Sequence, residues 1–119
     1  MKKIAKIWKE KFIIAKSKKV QENAFANIID KNEITVIIQK ENFNKRDIIK
    51  IEKDYRLITF EMVLPFNLVG FIAKIANALA EEKIPIFVVS AYSTDHLLVK
   101  EKYLKKTIKQ LEKLGFEIK

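Results

Sequence analysis

One stretch of the sequence decides the fold: YRLITFEMVLPFNLVGFIAKIANALAEEKIPIFVVS, residues 55–90. In its first part, 55–63, successive side chains alternate between two faces, and Ile58, Phe60 and Met62 make one face purely apolar. A period of two predicts a strand whose apolar face meets the core. Pro65 ends that strand, and Asn67 can cap a helix. The next apolar residues recur at helical spacing and predict a helix over 67–82: Leu68, Phe71, Ile72, Ile75, Ala76 and Leu79.

The residues after this helix predict two strands and a turn. Pro85 breaks the helix, and the β-branched, apolar run 86–89 predicts a strand. Residues 90–95 are polar and predict a turn or bulge, after which 96–99 predicts another strand.

The C-terminal residues predict a last helix and a short closing strand. The helix covers 101–114, Gly115 suits the positive φ of a helix C-terminus, and 116–118 can form the strand. From residue 55 onward the order is therefore β-α-β-β-α-β, the ferredoxin-like α+β arrangement with two helices on one face of an antiparallel sheet.

The first 54 residues give a weaker pattern. The run 12–15 predicts a buried strand, although Ile4, Trp8 and Phe12 also fall at helical spacing. Residues 21–29 fit a short helix or a turn, and 33–39 predicts a strand. Residues 41–54 are highly charged, so we expect a connection or an exposed loop there. The order of elements suggests a degraded copy of the same unit.

Composition limits the function classes. The chain of 119 residues has no cysteine and one histidine, His96, which excludes disulfides, thiolate catalysis and cysteine-ligated zinc. Lysines interrupt the apolar N-terminal residues, and no apolar run approaches the ~20 residues of a membrane span. We therefore expect a cytoplasmic protein with no membrane contact. We find no nucleophile–base pair, metal cluster or phosphate loop, and so expect no enzyme activity and no cofactor.

The net charge of +9 raises the alternative of a basic nucleic-acid-binding module on a ferredoxin-like sheet. Only Arg46 and Arg56 are arginines, and the lysines are spread over the chain. An RNA-binding sheet also needs exposed aromatic residues, whereas Phe60 and Phe87 lie in strands that we expect to be buried. Specific nucleic-acid binding is therefore not expected. The lysine-rich face of the last helix is interpreted as solvated: Lys102, Lys105, Lys106, Lys109 and Lys113.

Two motifs resemble those of ACT-domain proteins. The pattern F-x-L-x-G precedes the long helix and ends at Gly70, and I-x-x-x-S-x-Y-x-T-D-x-x-L-V follows that helix from Ile86 to Val99. The resemblance is to small bacterial two-ACT proteins, to the regulatory part of aspartate kinases and to cytosolic arginine sensors of the CASTOR type. It covers residues 56–116, and more loosely 11–39.

The resemblance implies a domain organisation and a function. It implies an incomplete ACT-like half with a charged connection at 1–54 and an ACT domain at 55–119. It further implies a non-catalytic regulatory or sensor domain that binds a small molecule, an amino acid by preference, and that forms a homodimer or acts on a regulated enzyme. Pro65 stands where the family commonly has aspartate, and Gly70 comes later than the usual glycine. These departures leave the identity of the ligand open.

Elementary chemistry points to the same place. A helix N-terminus offers backbone N–H groups and a positive dipole end to a carboxylate, while Asp95 can receive an ammonium group. A zwitterionic amino acid needs both. The candidate ligand-binding residues are Asn67, Leu68, Val69, Gly70, Ser90, Ser93, Thr94 and Asp95.

Each of these residues also has a purely structural interpretation. Asn67 can be a helix cap only, and Gly70 can serve helix–sheet packing only. Asp95 with Ser93 and Thr94 can form an Asx-type turn. His96 is interpreted as a packed strand residue.

Overall fold

The computed structural model describes residues 2–62 and 69–119 and divides the chain into two compact units. The helical unit comprises Met1–Lys9 and Arg56–Lys119, and the sheet unit comprises Glu10–Tyr55. The strands are β1 (Ile4–Ser17), β2 (Ala26–Ile29), β3 (Ile34–Gln39), β4 (Ile48–Phe60), β5 (Phe87–Ser90), β6 (Asp95–Lys100) and β7 (Glu117–Ile118). The α-helices are α1 (Phe71–Glu81) and α2 (Leu104–Lys113), and short 3-10 helices cover Lys45–Asp47 and Glu101–Tyr103.

The helical unit has the ferredoxin-like order of elements β4-α1-β5-β6-α2-β7, with the start of β1 added to its sheet. The strands lie in the order β7-β1-β4-β6-β5. The β5 and β6 strands pair antiparallel with Ser90 opposite Asp95, whereas β7 pairs parallel to β1 with Ile4 opposite Glu117. The Glu61 amide donates to the Ile4 carbonyl on the other side of β1 at 2.9 Å, so β1 lies between β4 and β7.

The core of the helical unit lies between one face of this sheet and the two helices. Ile58 and Phe60 of β4 are fully buried there, together with Leu79 of α1 and Leu111 of α2. Met62 packs against the same cluster. Both helices therefore cover the same sheet face, because that face carries the apolar set of the predicted strand.

The sheet unit has strands in the order β2-β3-β1-β4, and its described residues form no α-helix. The small apolar cluster on one face contains Ile13, Ala15, Val36 and Ile38. The Gln21 side chain is buried and holds the loop at Asn44: its Nε2 donates to the Asn44 carbonyl, and its Oε1 accepts from the Asn44 amide.

The structure confirms most predicted elements. The strands predicted at 33–39, 86–89 and 96–99 correspond to β3, β5 and β6, and the closing strand is β7. Gly115 has φ +94, as expected for the residue after a helix.

Predictions in the first half are confirmed only in part. The strand predicted at 12–15 is present and is longer, since it belongs to the 14-residue β1, so the competing helical interpretation of Ile4, Trp8 and Phe12 is wrong. Of the helix or turn predicted over 21–29, the turn is present and β2 follows it. Half of the expected loop at 41–54 is strand, because Ile48 and Ile51 pack on the apolar cluster while their charged neighbours remain exposed.

Two boundaries in the second half differ as well. The helix predicted over 67–82 begins at Phe71, because the φ of +86 at Gly70 is incompatible with a right-handed helix. Asp95 opens β6, where it pairs with Ser90, rather than ending a turn. The predicted roles of Val63, Pro65, Asn67 and Leu68 lie outside the described residues.

Candidate functional site

One edge of the helical unit's sheet gathers the start of α1 and the turn between β5 and β6. Thr59 of β4 contacts His96 of β6, with Oγ1 and Nδ1 2.9 Å apart, and Arg56 contacts Glu101 farther back, with Nη1 and Oε1 3.3 Å apart. The later residue of β4 thus lies beside the earlier of the two residues in the second segment, so β4 and β6 are antiparallel. The end of β4 lies beside the start of β6, and therefore at the edge where the β5–β6 hairpin turns.

Aromatic packing brings the start of α1 to the end of β4. The rings of Phe60, the last residue of β4, and Phe71, the first residue of α1, meet edge to face with centroids 5.5 Å apart. Phe116 packs against both rings. The N-terminus of α1 and the hairpin turn are consequently at the same edge of the sheet.

Within the described residues, nothing covers the N-terminus of α1. The Lys74 amide donates to the Gly70 carbonyl at 3.1 Å, which leaves the amides of the first turn without partners inside the helix. Among the described residues no side chain caps this end. Gly70 is exposed, and a Cβ built on it meets no atom within 4 Å.

The β5–β6 hairpin supplies the polar groups of this edge. The Ala91 amide donates to the Thr94 carbonyl at 2.8 Å and closes a four-residue loop between Ser90 and Asp95. Ser90 is exposed, and Ser93, Thr94 and Asp95 are half-buried. The structure thus brings Val69 and Gly70 to the same sheet edge as Ser90, Ser93, Thr94 and Asp95, while Asn67 and Leu68 lie outside the described residues.

Two large apolar side chains are conspicuously exposed at this edge. Val69, which immediately precedes Gly70, is 91% exposed, and Tyr92 in the hairpin loop is 80% exposed.

The sequence did not predict a chain of hydrogen bonds that lies on the sheet face opposite the two helices of the helical unit. The Trp8 Nε1 donates to Thr59 Oγ1 at 2.8 Å, and Thr59 Oγ1 lies 2.9 Å from His96 Nδ1. Partial burial lowers the pKa of His96 below its usual value, and the Asp95 charge acts in the opposite direction. The sequence gives no signal for this chain, because Trp8 is 51 positions from Thr59.

Arg56 joins three elements of the helical unit. Its Nη2 donates to the Trp8 carbonyl at 2.8 Å, and its Nη1 pairs with Glu101, which opens the 3-10 helix before α2. These contacts fix the start of that helix against β1 and β4, so we assign Arg56 a structural role.

The described part of the chain contains neither a metal-ligand group nor a membrane-spanning helix. No group of three or more His, Cys, Asp or Glu side chains there could hold a metal ion. None of its helices is long and apolar enough to cross a membrane.

The family follows from a comparison with protein-family models. The model of the ACT domain matches residues 50–113. The chain belongs to the ACT-domain family. ACT domains bind small molecules and regulate enzymes, and a regulatory, ligand-binding domain is the function that this membership supports. No curated protein gives a significant match.

Solved structures share the fold at low sequence identity. A protein from Agobacterium tumefaciens is 21% identical, with a TM-score of 0.85 over 100% of this chain and 93% of that one. A protein of unknown function from Vibrio cholerae, described as a possible transport protein, is 18% identical, with a TM-score of 0.76 over 90% and 85%. The ligand-free regulatory subunit of aspartate kinase from Thermus thermophilus is 9% identical, with a TM-score of 0.64 over 92% and 95%.

Proposed function

We propose that this ACT protein is a non-catalytic sensor that binds a small zwitterionic ligand, an amino acid by preference, at the edge where α1 begins and the β5–β6 hairpin turns. The proposal rests on one observation: a group that attracts anions and a group that attracts cations lie at the same edge of the sheet. The first turn of α1, which no described side chain caps, attracts an anion, and Asp95 attracts a cation.

The carboxylate of the ligand would accept hydrogen bonds from the first-turn amides of α1. Gly70 favours this contact because its missing side chain leaves the approach to these amides open. The ammonium group would lie against the Asp95 carboxylate, with the hydroxyls of Ser90, Ser93 and Thr94 on the same hairpin as further partners. Val69 and Tyr92 would then contact either the side chain of the ligand or the protein that this ACT domain regulates.

The proposed biological role follows from the family and from the sequence. A regulatory module acts through another protein, so the partner is a regulated enzyme or a second copy of this chain. We further propose that residues 1–54 are an incomplete ACT-like half, that the protein works in the cytoplasm, and that it needs no cofactor and no metal.

A thermal-shift screen against the twenty amino acids and a set of nucleotides tests the proposal. A ligand that binds only the folded state stabilises it by about 2.7 kcal/mol at a hundredfold excess over Kd, which raises the Tm of a domain of this size by several degrees. The expected result is such a shift with at least one amino acid and none with nucleotides. A screen in which no amino acid shifts the Tm would contradict the proposed ligand class.

Two substitutions locate the site. Asp95→Ala should abolish the shift and leave the Tm without ligand nearly unchanged, because Asp95 makes no ion pair within the described residues. Gly70→Val should abolish the shift with some loss of stability, because valine is strained at φ +86.

Gly115→Val is the matched control. Gly115 has φ +94, so valine is strained there as well, but it follows α2 rather than preceding α1. This variant should lose stability and keep the ligand-induced shift. Loss of the shift in both glycine variants would mean that backbone strain, and not the site, controls binding.

The alternative of a nucleic-acid-binding sheet finds less support. Phe60 points into the core, where it packs against Phe71 and Phe116, and Phe87 is only half-exposed. A sheet that stacks bases needs exposed aromatic rings on its central strands.

A further inference from the structure

We propose that the lysine face of α2 is a docking surface for a phosphodiester backbone, bound without regard to base sequence. This lysine face consists of Lys102, Lys105, Lys106, Lys109 and Lys113. None of these lysines belongs to the proposed ligand site, which is built from the start of α1 and the β5–β6 hairpin.

The four helical lysines form one basic surface, which the exposed Glu112 borders on one side. At about 100° per residue they fall within an arc roughly 100° wide, opposite the buried Thr107 and Leu111. All four are exposed, and among the described residues none of them has an ion-pair partner.

This arrangement is unfavourable for an isolated helix. Lys105, Lys109 and Lys113 are spaced four residues apart, so each lies beside another like charge. The exposed face of α1 shows the usual alternative, since it carries one lysine, Lys74, and one glutamate, Glu81, among small neutral residues. A repulsive row of lysines is stabilised when a polyanion neutralises it.

The charge is also unevenly distributed along the chain. The helical unit contains fourteen basic and seven acidic residues, a net charge of +7, whereas the sheet unit contains ten basic and eight acidic residues, a net charge of +2. Lys3 adds a further charge where α2 ends, because its Nζ donates to the Leu114 carbonyl at 3.3 Å.

The spacing of the charges favours a linear polyanion. Five lysines from 102 to 113 span roughly 17 Å at the rise of an α-helix, so the four intervals between them average about 4 Å. One strand of a duplex carries a phosphate every ~3.4 Å along its axis, a difference that the long, flexible lysine side chains can bridge. A lipid surface is better met by a helix that can also insert apolar residues, and those of α2 are turned into the core. Because the face offers lysine and no arginine fork, we expect phosphate contacts without base readout.

The experiment is a salt titration of the full chain with a fluorescein-labelled duplex of about 20 base pairs, followed by anisotropy. Five phosphate contacts predict a slope of about −4.5 for log K against log salt, which is a loss of roughly 500-fold in affinity between 50 and 200 mM. Replacing Lys105, Lys109 and Lys113 by alanine should reduce the slope to about −1.8 and the loss to about tenfold. This triple variant should fold with an unchanged or higher Tm, since alanine favours helix and relieves the repulsion.

The matched control removes the same charge elsewhere. Lys18, Lys31 and Lys40 are exposed residues of the sheet unit, and their replacement by alanine should leave the slope and the affinity unchanged. Equal loss in both triple variants would overturn the proposal in favour of net charge alone. Binding to vesicles rich in phosphatidylserine without binding to the duplex would overturn it in favour of a membrane surface, and discrimination between duplex sequences would contradict the absence of base readout.

Discussion

The helical unit and the sheet unit each contain part of β1 and part of β4, but they bury their apolar residues in different ways. In the helical unit two helices cover one sheet face, and ten buried residues form a single apolar cluster. In the sheet unit four buried residues form one cluster, Phe12, Ile14 and Ile37 are buried outside it, and the buried Gln21 adds hydrogen bonds to a loop. An α-helix covers a sheet face with many apolar contacts at once, and the described residues of the sheet unit form no α-helix to do so.

The same contrast separates the functional features. The N-terminus of α1, the hairpin with Asp95, the lysine face of α2 and most of the net charge all belong to the helical unit. The helix N-terminus and the charged helix face occur in this unit because both α-helices belong to it.

Ile75→Asp in α1 should destabilise the protein more than any other substitution considered. Ile75 is 2% exposed within the larger cluster, so the substitution buries an unpaired charge and costs several kcal/mol of unfolding free energy, enough to unfold the protein. Far-UV circular dichroism should show loss of structure in both units, since they share β1 and β4. Asn77→Asp on the exposed side of α1 is the control and should change stability by less than about 0.5 kcal/mol. A sheet unit that stays folded in the Ile75 variant would contradict the shared dependence.

Truncation to alanine compares the two cores directly. Leu79 and Ile38 are both fully buried, one in each cluster, and replacing either by alanine should cost about 2–5 kcal/mol. We expect Leu79→Ala near the upper end of that range and Ile38→Ala near the lower end, because the smaller cluster can collapse more easily. Urea unfolding of the two variants measures the difference, and a larger loss for Ile38→Ala would reverse our view of the two cores.

The turn after α1 allows a smaller and stabilising change. Lys83 has φ +58, a conformation that costs a residue with a side chain about 1 kcal/mol and costs glycine nothing. Lys83→Gly should therefore raise the unfolding free energy by about 0.5–1 kcal/mol in the same urea assay. Glu82→Gly, at φ −90, should lower it instead, and equal effects of the two glycines would exclude the backbone explanation.

We also expect a small pH dependence of the unfolding free energy, which comes from His96 in the helical unit. The pKa of His96 is lowered by burial, so the unfolded chain binds more protons than the folded one between that lowered value and about 6.5. The contribution of His96 is complete above pH ~6.5 and is lost as the pH falls toward the pKa of the folded state. Urea unfolding at pH 7.5 and pH 5.5 measures this loss, and His96→Asn should make the difference smaller. A His96→Asn variant with the same pH dependence as the wild type would show that carboxylates alone account for it.

The outcome of the sequence predictions follows the strength of the local pattern. The β-α-β-β-α-β order from residue 55 is confirmed, because alternation and helical spacing there are regular and because a buried face imposes them. In the first half, the start of β4 was predicted as a loop because of its many charged residues. Lys50, Glu52 and Lys53 are exposed on this strand, between residues that pack. The start of α1 was misplaced because a capping residue is a local signal, whereas the φ of Gly70 depends on how the chain approaches the helix.

The sequence by itself determined which segments of the helical unit form strands and helices and which face of each is buried, since both properties are encoded in residues a few positions apart. The tertiary structure alone decided the strand partners. The start of β1 lies between β4 and β7, which brings residue 4 beside residues 61 and 117. It likewise decided that Trp8, Thr59 and His96 form one chain of hydrogen bonds. Pairing between distant strands depends on the free energy of the whole packed core, and no local period in the sequence records it.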